Sequence, residues 1–286
     1  MVKRGKATPS IGTRAMFSMG GRRRSVPVID PHSDDDGADG GIAQRVLRVL
    51  AAFAHGPVRP TVEDIASLTG FPRSSTYRYI SILKEAGFIA DDRSGRLEVT
   101  PLSVGFARAS QQGNSLVAVA RPLMRKLTEG SRELTLLAKR SGHFGVCIEI
   151  CESLMPVRYT FELGTMLPLH EKGALRRTLL AFAPERLQDR IVAQAMRLDP
   201  KYRPRIPLLK RELQAIRARG YAESEAEITP DLWGVAAPVF CNSMTDTVLV
   251  MLAPGYRISR TERARLRSTV RTAAQEISER ITYLTM

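Results

Sequence analysis

The stretch TVEDIASLTGFPRSSTYRYISILKEAG, Thr61 to Gly87, reads as two short helices joined by a turn. Val62, Ile65, Ala66 and Leu68 share one face of the first helix at helical spacing. Gly70 is placed to end that helix, because glycine takes the left-handed backbone of a helix end without a Cβ clash, and Pro72 suits the opening turn of the next. In the second helix Ile80, Leu83 and Ala86 recur every three residues and predict an inward face. Arg73, Ser74, Ser75, Thr76, Tyr77 and Arg78, in the first two turns, are then expected to point outward. Guanidinium, hydroxyl and phenol groups at a helix N-terminus, whose free amides also attract phosphate, make a DNA-reading head. The plain alternative is a helical hairpin with a solvated polar face.

The residues immediately downstream favour the reading head. Gly87-Phe88-Ile89 leads into Asp91-Asp92-Arg93-Ser94-Gly95-Arg96 and then Leu97-Glu98-Val99, which predicts two strands and a tight turn at Gly95. A hairpin directly after the second helix, with Arg93 and Arg96 near its tip, is the wing of a winged helix-turn-helix. Such a tip lies along phosphate or in the minor groove. Upstream, Val46, Leu47, Val49, Leu50 and Phe53 predict an amphipathic helix covering the pair.

The chain divides by composition into a tail over 1–40, the winged helix-turn-helix over 41–100, a linker helix over 101–114 and a second domain over 115–286. The tail mixes basic clusters with an acidic run and shows no periodicity, so it is expected to be mostly disordered. Leu102 and Phe106 anchor the linker helix. The second domain alternates strand patterns (134–139, 144–151, 157–162, 221–228, 232–240, 247–253) with helix patterns (116–127, 173–182, 184–196, 208–219, 260–284). Leu266, Val270, Ala273, Ile277, Ile281 and Leu284 form the inner face of the last helix. The fold class is therefore α+β, with helices expected on one side of a sheet.

Bulk properties narrow the function. The net charge of +14 suits a polyanionic partner. It does not locate the site, because residues 41–100 carry eight Lys/Arg against six Asp/Glu. Cys147, Cys151 and Cys241 are scattered, and Cys147 and Cys151, four apart in one strand, are expected on one face with His143 nearby. No fourth ligand accompanies them, so reduced thiols in a cytoplasmic protein are expected, with no metal and no cofactor. No apolar run approaches the ~20 residues of a membrane span. His32, His55, His143 and His170 are isolated from any nucleophile or orienting acid, so no catalytic residue is assigned.

The segment Gly70-Phe71-Pro72-Arg73-Ser74-Ser75-Thr76-Tyr77-Arg78-Tyr79-Ile80 resembles the recognition-helix signature of the IclR family of bacterial transcriptional regulators. Pro168-Leu169-His170, Leu179-Leu180-Ala181-Phe182, Arg217-Ala218-Arg219-Gly220-Tyr221 and Val235-Ala236-Ala237-Pro238-Val239 resemble its ligand-binding domain, in the same order. The resemblance spans residues 41–284. It implies a homodimer, or a dimer of dimers, that binds a double-stranded DNA operator as a repressor or activator, with a GAF-like α/β effector-binding domain at the C-terminus. The effector residues it implies are Tyr159, Leu167, Gly173, Ala174, Glu225, Leu232, Gly234, Val250 and Leu252. Departures matter here: Arg176-Arg177 stand where the family has Gly-Lys, Gly234 replaces a cysteine, and Val250 and Leu252 replace small polar residues. These changes predict a small organic effector that is aromatic or apolar. The alternative is an effector-independent DNA-binding regulator with a degenerate sensor pocket. Trp233 is expected either to stack on the ligand or to serve the core, and His170 to be structural.

Overall fold

Helix α2 (Val62–Thr69) opens on a capping box: the Thr61 hydroxyl accepts from the Asp64 N–H at 3.1 Å, and the Thr61 N–H donates to the Asp64 carboxylate at 2.9 Å. Gly70, at φ 72°, closes the helix by donating to the Ala66 carbonyl at 2.8 Å. Pro72, which has no N–H to lose, caps α3 (Arg73–Glu85). Helix α1 (Gly41–Ala52) lies across both, and Val49, Ile65, Tyr79, Ile80 and Leu83 meet Ile89 and Leu97 in one small core. Ala86, expected inward, is exposed, because α3 ends one residue before it. Strands β2 (Ile89–Asp91) and β3 (Leu97–Val99) pair antiparallel as the wing. Its turn is held by Asp92, whose carboxylate accepts from the Ser94 and Arg96 N–H groups at 2.7 and 3.0 Å, while Gly95 takes φ 76°.

This computed structural model describes residues 16–18, 41–54, 56–112, 115–199, 205–241 and 244–285. The tail expected over 1–40 lies outside the described residues apart from β1 (Met16–Ser18), which runs parallel to β6 (Arg158–Thr160). Helix α4 (Leu102–Gln112) follows the wing, and its Phe106 stacks on Phe88 at 5.5 Å.

The second domain is built on one six-stranded antiparallel sheet. Its strands are β4 (Leu134–Ser141), β5 (Phe144–Cys151), β7 (Met166–Pro168), β8 (Ala222–Glu225), β9 (Leu232–Cys241) and β10 (Met244–Pro254). Their spatial order is β7-β5-β4-β10-β9-β8. Helices α6 (Ala174–Ala181), α7 (Glu185–Leu198) and α8 (Ile206–Arg219) cover one face. Helices α5 (Ser115–Ser131) and α9 (Arg260–Thr285) cover the other. The expectation of helices on one side is thus corrected. The sheet centre is apolar on both faces: in β9, Leu232 and Ala236 face α6 to α8, while Trp233, Val235, Ala237 and Val239 face α5 and α9. An uninterrupted apolar strand needs cover on both sides. Of the predicted inner face of α9, Leu284 is exposed and the others are buried.

The two cysteines of β5 do not share a face. Glu149 pairs with Leu137 and Cys147 with Ala138, so Ile148 is the extra residue of a β-bulge and alternation flips across it. Cys147 packs under α6 to α8, whereas Cys151 sits against the α5 and α9 layer. Among the described residues no three His, Cys, Asp or Glu side chains gather as a metal site. Burial pushes the Cys147 thiol up to about 12, and it raises Cys151 as well. Since the thiolate is the reactive form, maleimide at pH 7 is expected to label Cys241 before Cys147. Fast modification of Cys147 in the folded protein, read by mass spectrometry, would contradict this packing.

Candidate functional site

On α3 the first two turns present Arg73, Ser74, Tyr77 and Arg78 to solvent, with Ser75 half-exposed and Tyr77 at 52% exposure. Thr76 departs from the expected set. It is 0% exposed and its hydroxyl donates to the Pro72 carbonyl at 3.1 Å, closing the first turn of the helix. It lies one turn before Ile80 on the inward stripe, so it cannot touch DNA from this conformation. Arg73 is ion-paired with Glu63 on α2.

Tyr79 organises this face from beneath, a role not apparent from spacing. Its ring is buried edge-on to Phe71, with centroids 5.5 Å apart, while its hydroxyl lies within 3.5 Å of both Arg45 on α1 and Arg78. Burial alone would raise the phenol, but hydrogen bonds from Arg45 and Arg78, with their charges, bring it below its ordinary value. Arg45 thereby joins Arg78 on one cationic surface. At the wing, Arg93 and Arg96 are exposed, and the Arg96 guanidinium also donates to the Arg59 carbonyl at 3.1 Å. The structure therefore places seven of the eight sequence-derived contacts on accessible surface.

A cavity of about 260 Å³ lies in the second domain at the start of α6, between β9, β10 and the β6–β7 connection. Leu167, Gly173, Ala174, Leu232, Val250 and Leu252 line it, as the resemblance implies. Three implied residues do not. Tyr159 is packed in the core and its hydroxyl donates to the Pro230 carbonyl at 3.2 Å. Glu225 turns outward to Arg263 on α9, with a 2.6 Å contact. Gly234 is shielded by Leu252, whose Cδ2 lies 2.7 Å from where a Cβ on Gly234 would stand. Glycine is thus what lets Leu252 lie over β9 beside the cavity.

The polar part of the lining, Thr160, Glu162, Thr165, Arg176 and Ser224, was not anticipated. Arg176 is buried, pairs with Glu171 at 3.2 Å and donates to the Lys172 carbonyl at 3.0 Å, leaving its buried Nε without a partner. Burial lowers the guanidinium from its ordinary value. At the helix start, the Ala174 N–H donates to the Ser224 hydroxyl at 3.1 Å and the Gly173 N–H to the Glu227 carboxylate at 3.0 Å. Trp233 is on the opposite face of the sheet and takes no part. His170 is half-buried beyond the lining, with its imidazole held below the usual value by burial.

Known proteins share both halves of this architecture. The IclR helix-turn-helix domain matches residues 43–93, and the bacterial transcriptional regulator IclR C-terminal domain matches residues 109–279. The HTH-type transcriptional repressor AllR of Klebsiella pneumoniae is 29% identical over 221 residues, which cover 77% of this chain and 80% of that protein. An IclR-type regulator from Silicibacter has the same fold, with TM-score 0.72 and 22% identity over 85% of this chain and 96% of its own. An IclR homologue from Microbacterium hydrocarbonoxydans, solved in complex with 4-hydroxybenzoate, superposes with TM-score 0.66 at 20% identity, covering 84% of this chain and 98% of its own. Among the described residues no helix is long and apolar enough to cross a membrane. With its winged reading head followed by a helix-covered antiparallel sheet, and with both domain signatures in order, the chain belongs to the IclR family of bacterial transcriptional regulators and is a DNA-binding helix-turn-helix protein.

Proposed function

We propose that this regulator is a repressor that acts as a homodimer in the cytoplasm, and that a small organic effector in the α6 cavity sets its grip on the operator. The observation that carries the reading is the cavity itself. A dry cavity of ~150 Å³ accepts benzene, so about 260 Å³ has room for a single ring with one polar substituent. Its walls suit such a molecule: Leu167, Leu232, Val250 and Leu252 bury a ring, while Arg176 and Ser224 offer donors at one end. The ring-sized acid carried by the Microbacterium homologue and the repressor designation of AllR support the ligand class and the sign of regulation.

On the DNA side, Arg73, Ser74, Ser75, Tyr77 and Arg78 enter the major groove, and Arg93 and Arg96 hold the flanking backbone. Two copies read half-sites ~34 Å apart or a multiple of it. The exposed Leu102, Val104 and Phe106 of α4 supply the apolar surface for pairing. Effector binding then shifts the balance between two spacings of the reading heads by its differential affinity for them.

The test is a thermal-shift titration with single-ring acids and their neutral analogues. Ligand at about 100 times its Kd stabilises by ~2.7 kcal/mol, a shift of several degrees. Ile228→Trp, which fills the mouth from an exposed position, is expected to abolish the shift without unfolding the protein. The second reading, a regulator without an effector, is favoured by one feature: the Gly173 amide is already occupied by Glu227. It predicts no stabilisation by any compound of this class.

A further inference from the structure

We propose that Glu227 is a built-in competitor for the effector cavity: its carboxylate holds the Gly173 amide that an acidic ligand needs, so such a ligand binds only by releasing the β8–β9 loop. The proposal rests on the effector reading above and adds to it the residue that decides how strongly acids are taken.

The loop is shaped for this. Ala226 at φ 52° and Asp231 at φ 61°, both left-handed without being glycine, bracket it, and the Ala226 N–H closes it by donating to the Leu232 carbonyl at 2.8 Å. That bend turns Glu227 back over the start of α6. Its carboxylate accepts from the Gly173 N–H at 3.0 Å, in the position where a helix N-terminus favours an anion. The neighbouring Ile228 lines the cavity and lies against Gly173: its Cδ1 is 2.5 Å from where a Cβ would stand, so only glycine allows the approach. Glu227 and Ile228 therefore move together, and freeing one opens the mouth. On the cavity side, the buried Arg176 lines the wall with its Nε unpartnered and brings positive charge close to an incoming carboxylate.

Glu227 itself is exposed, so water screens its hydrogen bond and the loop has an open state within reach. A ligand that needs the open state has its affinity reduced by the fraction of time the seat is free. If Glu227 occupies the amide about nine-tenths of the time, an acid binds about tenfold more weakly than it would to an empty seat. A neutral analogue of the same shape makes no claim on the amide and escapes this penalty. The flanking contacts hold the ends of the loop, since Glu225 is paired with Arg263 of α9 and the Asp231 carbonyl accepts from the Gly255 N–H, so release is confined to the residues between them.

The experiment compares wild type with Glu227→Ala in the full chain, using benzoate and benzamide in calorimetric titrations and acetate and acetamide in thermal unfolding. Glu227→Ala is expected to bind benzoate about tenfold more tightly than wild type and benzamide equally. Acetate at high millimolar concentration is expected to raise the unfolding midpoint of the variant but not of wild type, with acetamide inert. Equal benzoate affinities in the two proteins, or weaker binding by the variant, overturn the proposal and leave the effector reading intact. Stabilisation of both proteins alike by acetate also overturns it. If neither protein binds benzoate or benzamide while acetate stabilises the variant alone, the seat assignment stands and the effector reading falls. Glu227→Gln, which keeps the shape and loses the charge, is expected to lie between the two and guards against a merely structural loss.

Discussion

Arg78→Ala is expected to lower operator affinity by about tenfold to a hundredfold while leaving the unfolding midpoint unchanged. The first part follows from the position of the side chain, exposed in the second turn of α3 with its guanidinium steadied beside the Tyr79 hydroxyl. A bidentate arginine on guanine is worth ~1–3 kcal/mol of discrimination, whereas a phosphate contact weakens all sequences alike. The two roles separate in a salt titration: loss of a phosphate contact reduces the slope of log K against log salt by about one, and loss of a base contact flattens specificity at one position. Thr76→Val is the paired control. Its hydroxyl is turned inward to the Pro72 carbonyl, so operator binding is expected to survive the change. If a mobility-shift titration showed Arg78→Ala binding as tightly as wild type, Arg78 would leave the interface. A large loss from Thr76→Val at unchanged stability would mean that α3 rotates on binding.

The largest stability effect is expected at Trp233. It is 0% exposed, faces the α5 and α9 layer among Val235, Met251, Leu266 and Val270, and donates its indole N–H to the Glu223 carboxylate at 2.7 Å. Trp233→Ala removes a large buried side chain from a strand flanked on both sides, where β8 and β10 restrain collapse around the void. Large-to-small changes of this kind cost about 3–5 kcal/mol. The partner also suffers, since Glu223 loses its closest donor and retains Arg267 at 3.7 Å. For a domain of this size the midpoint is expected to fall on the order of 10 °C. Trp233→Phe, which keeps most of the volume, should recover the larger part. A loss under about 1 kcal/mol for Trp233→Ala, read by urea titration, would be incompatible with Trp233 at the centre of this layer.

Much of the reading head was legible because its signals are local. Gly70 at a left-handed helix end and the Gly95 turn are each fixed within a few residues, and the structure realises both. Thr76 was misplaced because threonine is polar by type yet satisfies its hydroxyl on the carbonyl four residues earlier, which lets it join a buried stripe. Arg45 was missed because α1 and α3 are far apart in the chain and meet at the Tyr79 hydroxyl.

The pocket was half legible for a related reason. Leu167, Gly173, Ala174, Leu232, Val250 and Leu252 were assigned by resemblance and do line the cavity. Arg176, Ser224 and Glu227 come from segments that converge only when α6 packs over β8 and β9, and no spacing rule spans such distances. Tyr159 and Glu225 were drawn elsewhere by the Pro230 carbonyl and Arg263, partners distant in sequence.

The sequence by itself determined most elements, their order and the winged reading head, because helix ends, turns and apolar periodicity are set by neighbours along the chain; the three-residue strands β1 and β7 are too short to carry such a signal. Only the tertiary structure decided which faces those elements share. It put helices on both sides of the sheet, sent Cys147 and Cys151 to opposite layers through one bulged residue, and brought Glu227 onto the Gly173 amide. A strand's side chains change faces with a one-residue slip, and a loop's reach depends on what it lands on, so both are properties of the packed chain.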